Sequence, residues 1–389
     1  MSPKIAIVGG GPAGLTLASI LIRNGITPTV FEHDASPKAR SQGGSLDLHP
    51  GTGQAALAAC GLTSQFEKYA RYGDQDFTAA DKHGNIALAL RDRDVGRPEI
   101  DRGQIRQMLL DSIPEGVIKW DHHLIAATED SLQFKDHTES GWDLIVGADG
   151  AWSKIRPLCC YVPPFYTGIS AFTMTLTEAS TKHAAISEMV GKGTYHAVGE
   201  DDGLALAYQR NDNDSILVYA FGRRPENWIK ASGIDVNDQD SIRAALKKDY
   251  AHWDPKICAV FDEYDGNMTF SSLYMLPVGL RWPSHKKVTL IGDAAHLMTP
   301  FAGEGVNLAM TDAMDLANAI ISKPDDIAGA IAEFQPAMWE RAKIAGNIAW
   351  ENTMGRFEPG ALDNWVKRFQ SRLKKQGNLQ LLELTERKK

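Results

Sequence analysis

The chain has 389 residues, 43% apolar and 23% charged, with a net charge of −8. That length calls for more than one core, the composition is that of an ordinary globular protein, and the acidic balance argues against a nucleic-acid partner. Cys60, Cys159, Cys160 and Cys258 form no C-x-x-C pair and no zinc-ligand spacing, which leaves no sign of a redox dithiol or a metal site.

Ile5–Ile22 is an uncharged run about as long as a membrane span. Gly9, Gly10, Gly11, Pro12 and Gly14 near its middle divide it into strand, turn and helix. It also lacks the cleavage site of a signal peptide, so a cytoplasmic chain with no membrane association is expected. Lys4–Val8 reads as a short buried strand. Pro12–Asn24 reads as a helix, with Leu15, Ala18, Leu21 and Ile22 at helical spacing and Gly25 as its stop. Thr29–Phe31 is a second strand, and the β-α-β unit opens a parallel sheet. Thr52–Cys60 reads as helical. Phe77–Ala80 and Ile86–Leu90 flank a hairpin turn, Arg102–Ser112 is an amphipathic helix, and Leu144–Val146 is a buried strand closed by Gly147-Ala148-Asp149-Gly150. From about 166 to 275 the chain turns β-rich, with Ala171–Leu176, Leu204–Tyr208 and Ile216–Phe221 between polar turns. This predicts an antiparallel sheet with one covered face. Val288–Ile291 returns to a buried strand, a helix runs from about Gly305 to Ile320, and the chain from Ile327 onward is mostly helical.

Gly9-Gly10-Gly11-Pro12-Ala13-Gly14 fits G-x-G-x-x-G between a strand and a helix. Gly9 permits the tight turn, Gly11 lets backbone approach a pyrophosphate, and Gly14 lets helix and strand pack closely. The helix N-terminus offers unpaired N–H groups and a positive dipole end to the phosphates. Glu32, at the end of the second strand, is placed to accept hydrogen bonds from a ribose diol. Asp149 and Gly292-Asp293 each follow a buried strand, which puts their carboxylates at the ligand-binding edge of the sheet. Each Asp could equally cap the segment that follows it. Two such edges suit FAD, a longer ligand than one β-α-β unit can cover, with Asp293 as acceptor for its ribityl hydroxyls. Pro300-Phe301-Ala302-Gly303-Glu304-Gly305-Val306-Asn307 then leads into a helix. Its glycines admit a flat ring, and the helix N-terminus would stabilise negative charge at the pyrimidine end of a reduced flavin.

Together these motifs resemble the single-component FAD-dependent aromatic hydroxylases, the group A flavoprotein monooxygenases. Gly43–His49, Pro98–Arg102 and Ile291–Met298 with Pro300–Gly303 are most similar to the tetracycline-inactivating (TetX-type) branch. The resemblance covers nearly the whole chain. It implies an α/β fold: a Rossmann-like FAD-binding domain in two parts, 1–165 and 276–345, interrupted by a β-sheet substrate domain at 166–275, with C-terminal helices at 346–389. It implies that Asp47, Arg102 and Asp293 hold FAD and that Arg40 serves NADPH. It also implies the reaction. NADPH reduces FAD, dioxygen adds to give a C4a-hydroperoxide, and one oxygen passes to an electron-rich phenolic or enolic small molecule, tetracycline-like polycycles included. The protein would act as a monomer. Gln209, Tyr219, Phe301, Arg356 and Phe357 are the substrate-pocket candidates, with core packing as the plainer reading for the aromatics.

Three departures from the family pattern stand out. His33 replaces an arginine after Glu32, Glu304 replaces a glutamine, and Leu217 falls where the tetracycline-gripping strand histidine would be. An anion at 304 would oppose a reduced flavin unless it points outward or is protonated. Other readings of the chain are a halogenase of the same fold, an oxidase or polyprenoid reductase, and a non-catalytic dinucleotide sensor. The halogenase lacks support because no tryptophan pair here has the W-x-W spacing.

Overall fold

The computed structural model describes residues 2–39, 43–73, 75–91 and 96–375. The chain divides into two compact units. One comprises residues up to Ala70, Ile100–Phe165 and Tyr274–Trp350; the other comprises Arg71–Glu99, Tyr166–Leu273 and the chain from Glu351 onward.

The first unit is built on five parallel strands: β1 (Ile5–Val8), β2 (Thr29–Phe31), β3 (Ile118–Lys119), β4 (Leu144–Gly147) and β5 (Val288–Leu290), in the order β5-β4-β1-β2-β3. Every residue of β1, β4 and β5 is buried. These strands therefore read as unbroken apolar runs rather than alternating ones, as a sheet covered on both faces requires. The register pairs Val8 with Gly147 and Gly147 with Leu290, so β1, β4 and the edge strand β5 end level. Gly9, Asp149 and Asp293 consequently leave the sheet at the same carboxyl edge. Helix α1 (Pro12–Arg23) crosses from β1 to β2. Helices α2 (Arg102–Asp111), α3 (Gly305–Ser322) and α4 (Ile327–Gly355) follow later in the chain. Leu15, Leu17 and Leu21 of α1 share one buried core with Met310, Leu316 and Ile320 of α3. An antiparallel meander of Leu124–Ala127, Ser131–Phe134 and Thr138–Ser140 lies outside the main sheet. Its strands are short and largely exposed, so they carry little hydrophobic pattern in the sequence.

The second unit holds a seven-stranded sheet in the order Asp265–Met275, Phe165–Leu176, Ile216–Arg223, Leu204–Arg210, Thr194–Val198, Phe77–Asp81, Ile86–Leu90. The hairpin of residues 77–90 thus belongs with residues 166–273, whereas the sequence alone placed the boundary at 165. Phe77–Asp81 runs parallel to Thr194–Val198, so the sheet is mixed rather than purely antiparallel. Side chains alternate across it. Leu204, Leu206, Tyr208, Ile216, Val218 and Ala220 point into one core. Ile186, Ile242, Leu246 and Phe261 join that core from helices absent from the β-rich sequence reading, chiefly Ala184–Val190 and Gln239–Asp249. The latter is capped by the Asp238 side chain, which accepts from the Asp240 N–H.

All four cysteines are free thiols. Among the described residues no helix is long and apolar enough to cross a membrane.

The packing of α1 onto β1 leaves no room for a side chain at Gly14: a Cβ there would lie 2.0 Å from the Gly9 carbonyl oxygen. Backbone has to move to relieve such a contact. Gly14→Ala is expected to cost about 1–3 kcal/mol, read as a lowered denaturant midpoint. An unchanged midpoint would mean that the turn relaxes freely.

Candidate active site

The glycine turn is shaped by close approach. Gly9 sits at φ +112°, and a Cβ on it would lie 2.2 Å from the Ala148 carbonyl oxygen. Gly11 is the N-cap of α1 and brings no capping side chain, with Pro12 in the first turn and Ala13 buried behind it. A Cβ on Gly11 would meet nothing within 4 Å, so the front of the turn is open. Glu32 is buried and engaged locally: Oε2 accepts the Gly10 N–H and Oε1 accepts the Asp34 N–H at 2.8 Å. It ties the turn to the end of β2. His33 is exposed, with Nδ1 3.6 Å from Asp34 Oδ1, and Asp34 in turn pairs with the buried Arg106 at 3.3 Å. Arg40 lies outside the described residues.

The two edge aspartates differ. Asp149 is saturated by protein: Oδ1 accepts from Ser153 at 2.5 Å and Oδ2 from the Lys154 N–H at 2.7 Å, ordering the turn after β4. Asp293 accepts no hydrogen bond among the described residues and is open to solvent, although protein crowds round it. That crowding pushes its pKa up, against the opposing pull of His296 and Arg102. Gly292, at φ +60°, lets α1 and α3 close over it; a Cβ there would lie 3.2 Å from Ala309 and 3.4 Å from Ala13.

Beneath this loop lies a residue that sequence reading missed. Asp312 of α3 is 1% exposed. Its Oδ2 accepts the Gly292 N–H at 3.1 Å and pairs with His296 Nε2, and its Oδ1 pairs with Arg341 at 3.3 Å. Burial alone would lower the pKa of His296, but Asp312 outweighs it and the net shift is upward. The one sequence signal was a carboxylate on the apolar stripe Leu308–Leu316.

At the far loop, Pro300–Ala302 form a short turn, Phe301 is half-buried, and Gly303 takes φ +70°. α3 begins at Gly305 without a side-chain cap, the space in front of Gly305 is open, and Val306 is half-buried. Asn307 is fully buried and stitches this start to residues 47–52. Its Nδ2 donates to the Asp47 carbonyl at 2.9 Å, and its Oδ1 accepts the His49 N–H at 2.9 Å. The His49 ring lies between two carboxylates, 3.0 Å from Asp47 Oδ2 and 3.4 Å from Glu304 Oε2. Arg102 is exposed at the start of α2, lies along Gly43, and makes no ion pair among the described residues.

In the second unit, Gln209 and Tyr219 lie on the sheet face opposite the core residues Tyr208 and Val218. The register sets Tyr219 beside Ala207, and Ala207 beside His196. His196 was not singled out in the sequence. It lies 3.4 Å from the buried Arg356 guanidinium, which sits 4.2 Å from the Trp365 ring centroid. Burial, reinforced by Arg356, holds His196 well below its usual pKa and so neutral. Phe357 is buried.

Two uncapped helix starts, meeting over Gly292, and a carboxylate and a guanidinium with no ion pair among the described residues form a donor and acceptor set that fits a long dinucleotide. The chain matches the family described as "FAD binding domain" over residues 3–96 and 135–329. It is 32% identical to the monooxygenase asqM of Emericella nidulans, a match covering 92% of this chain and 97% of that protein. The chain belongs to the FAD-dependent monooxygenases of the group A aromatic-hydroxylase family. Its fold is shared with Klebsiella pneumoniae HpxO, solved with FAD and uric acid, at a TM-score of 0.78, 19% identity and coverage of 98% and 96% of the two chains. It is also shared with the tetracycline destructase Tet(55), at a TM-score of 0.70, 19% identity and coverage of 99% and 96%.

Removing Asp312 would take the paired carboxylate from the covered His296 and strand the Gly292 N–H, while the half-buried Arg341 would keep Asp315 at 2.8 Å. Asp312→Ala is expected to destabilise this monooxygenase by about 3–5 kcal/mol, measured by chemical denaturation. A loss below about 1 kcal/mol, the range of exposed pairs, would show that the cluster opens to water.

Proposed function

We propose that this monooxygenase uses NADPH and dioxygen to hydroxylate an electron-rich phenolic or enolic small molecule. The observation that carries the reading is the contrast at the sheet edge: Asp149 is consumed by its own turn, while Asp293 accepts no hydrogen bond among the described residues and sits beside two open helix starts. FAD, when bound, supplies the hydride acceptor and the activation of dioxygen.

The chain's own residues bind, orient and exclude water. The N–H groups at the start of α1 hold the pyrophosphate, with Gly11 leaving the approach open. Asp293 accepts from ribityl hydroxyls, and Asp47 and Arg102 flank the same ligand. Gly303, Gly305 and the start of α3 receive the pyrimidine end, where the dipole favours negative charge. We place substrate against the sheet face that carries Gln209, Tyr219 and His196. A neutral imidazole there can accept a hydrogen bond from a phenol or enol, and Arg356 stands beside it as a cation for negative charge developing on that oxygen. On the flavin loop the half-buried Phe301 would help keep water from the ring, which limits wasteful loss of hydrogen peroxide, and in the second unit Phe357 is buried. Uric acid, bound by HpxO, is an electron-rich enolisable heterocycle of this chemical class. Because the sequence holds one G-x-G-x-x-G turn, NADPH is taken to bind transiently rather than in a second dinucleotide fold.

The purified protein should be yellow, and NADPH should bleach it under nitrogen once substrate is supplied. Mass spectrometry across phenols, enolic heterocycles and tetracyclines should find a product heavier by one oxygen atom. Bleaching without any oxygenated product would favour an oxidase or reductase, and a colourless protein would favour a sensor.

Asp293→Ala separates binding from folding. It removes a crowded carboxylate that has no hydrogen-bond partner, so the melting temperature of the FAD-free protein should hold or rise. FAD affinity should fall about tenfold or more, the loss of one charge-assisted hydrogen bond. Unchanged affinity would remove Asp293 from the site.

A further inference from the structure

A carboxylate at position 304 is out of place beside a ring that becomes negatively charged, since like charges held close in a crowded site repel strongly. The geometry around Glu304 contains its own remedy. Glu304 Oε2 lies 3.4 Å from His49 Nδ1, and the opposite nitrogen of the same ring lies 3.0 Å from Asp47 Oδ2. The ring is 10% exposed, against 27% for Glu304 and 41% for Asp47, so the histidine is the covered member of the trio. Its backbone is fixed by the Asn307 side chain, which also holds the Asp47 carbonyl. Gly53 allows that arrangement, because a Cβ there would lie 2.6 Å from Asn307 Oδ1.

We propose that His49 is a positioning residue that carries an imidazolium between Asp47 and Glu304, turning the Glu304 carboxylate toward itself and cancelling its charge at the pyrimidine end of the flavin site. This rests on reading Pro300–Asn307 as the flavin-ring loop.

The charge balance follows from the groups that face His49. Asp47 comes from its own segment and Glu304 from the loop before α3. The turn Pro50–Gln54 offers the neutral Thr52 and Gln54, and the first turn of α3 offers the neutral Asn307. Burial alone would lower the pKa of His49, but the two carboxylates outweigh it and raise it to about 9. Below that pH the trio carries one net negative charge; above it, two. The sign for stability is that of a raised histidine: the contribution is fully present below about 6.5 and is lost as pH rises through about 9. With the proton in place, Glu304 acts at the loop much as the family's glutamine would. Once the proton is lost, a free carboxylate faces the site.

The test has a cofactor-free arm and a flavin arm. In the FAD-free protein, the His49 ring followed by NMR should titrate near 9. In Glu304→Gln its proton affinity should fall about tenfold or more, one pKa unit or more. A wild-type ring titrating at or below the ordinary histidine value would overturn the proposal. In the FAD-loaded protein, His49→Gln should make the flavin harder to reduce, and Glu304→Gln should make it easier. His49→Gln should have much less effect once position 304 is already glutamine. Equal shifts in the two backgrounds would sink the idea, because His49 would then act independently of Glu304. A protein that never takes up FAD would defeat both the flavin reading and the role given to His49 toward it. The apo titration would still report the ion pair, so the two failures can be told apart.

Discussion

At the carboxyl edge of the parallel sheet, backbone has to touch backbone. Gly9 meets the Ala148 carbonyl and Gly14 meets the Gly9 carbonyl, while Gly292 sits against the methyl groups of Ala13 and Ala309. None of these contacts tolerates an added methyl group without movement. Because the approaches are so close, α1 starts flush with the sheet edge and α3 packs beside it. Neither helix brings a side chain to cap its own first turn. Their leading N–H groups point at whatever lies in front of the edge, a state that an anionic ligand satisfies better than water.

The charged groups of the first unit sort by the company they keep. Asp312 is enclosed with His296 and Arg341, Asp34 with Arg106, and Glu304 and Asp47 share His49. Such clusters hold their surroundings in one arrangement. Asp293 and Arg102 make no ion pair among the described residues, although Arg102 attracts the Asp293 carboxylate from a distance.

Sequence and structure agree where the determinants are local. The β-α-β opening, the glycine turn and the strands ahead of Asp149 and Asp293 are each written within a few consecutive residues. Other features depend on distant partners. Phe77–Asp81 reads as half of a free hairpin until Thr194–Val198 is beside it. The helices at 184–190 and 239–249 exist to cover one face of a sheet, and a segment scanned for alternation hides them. Asp312 looks like a solvated helix residue until Gly292, His296 and Arg341 converge on it. His49 lies inside a motif legible in the sequence, but its pairing with Glu304 is a meeting of two remote loops.

The parallel pairing of Phe77–Asp81 with Thr194–Val198 also bears on the order of assembly. A parallel neighbour cannot be reached by a tight turn, and more than a hundred residues separate these two strands. β5 likewise joins β4 only after the whole intervening sheet has been made. Contacts this remote must overcome loop-closure entropy before they give any stabilisation, which makes folding slow and leaves strand edges bare meanwhile. Neither unit can close on the ribosome in sequence order. Until both sheets are complete, the newly made chain carries bare strand edges open to self-association.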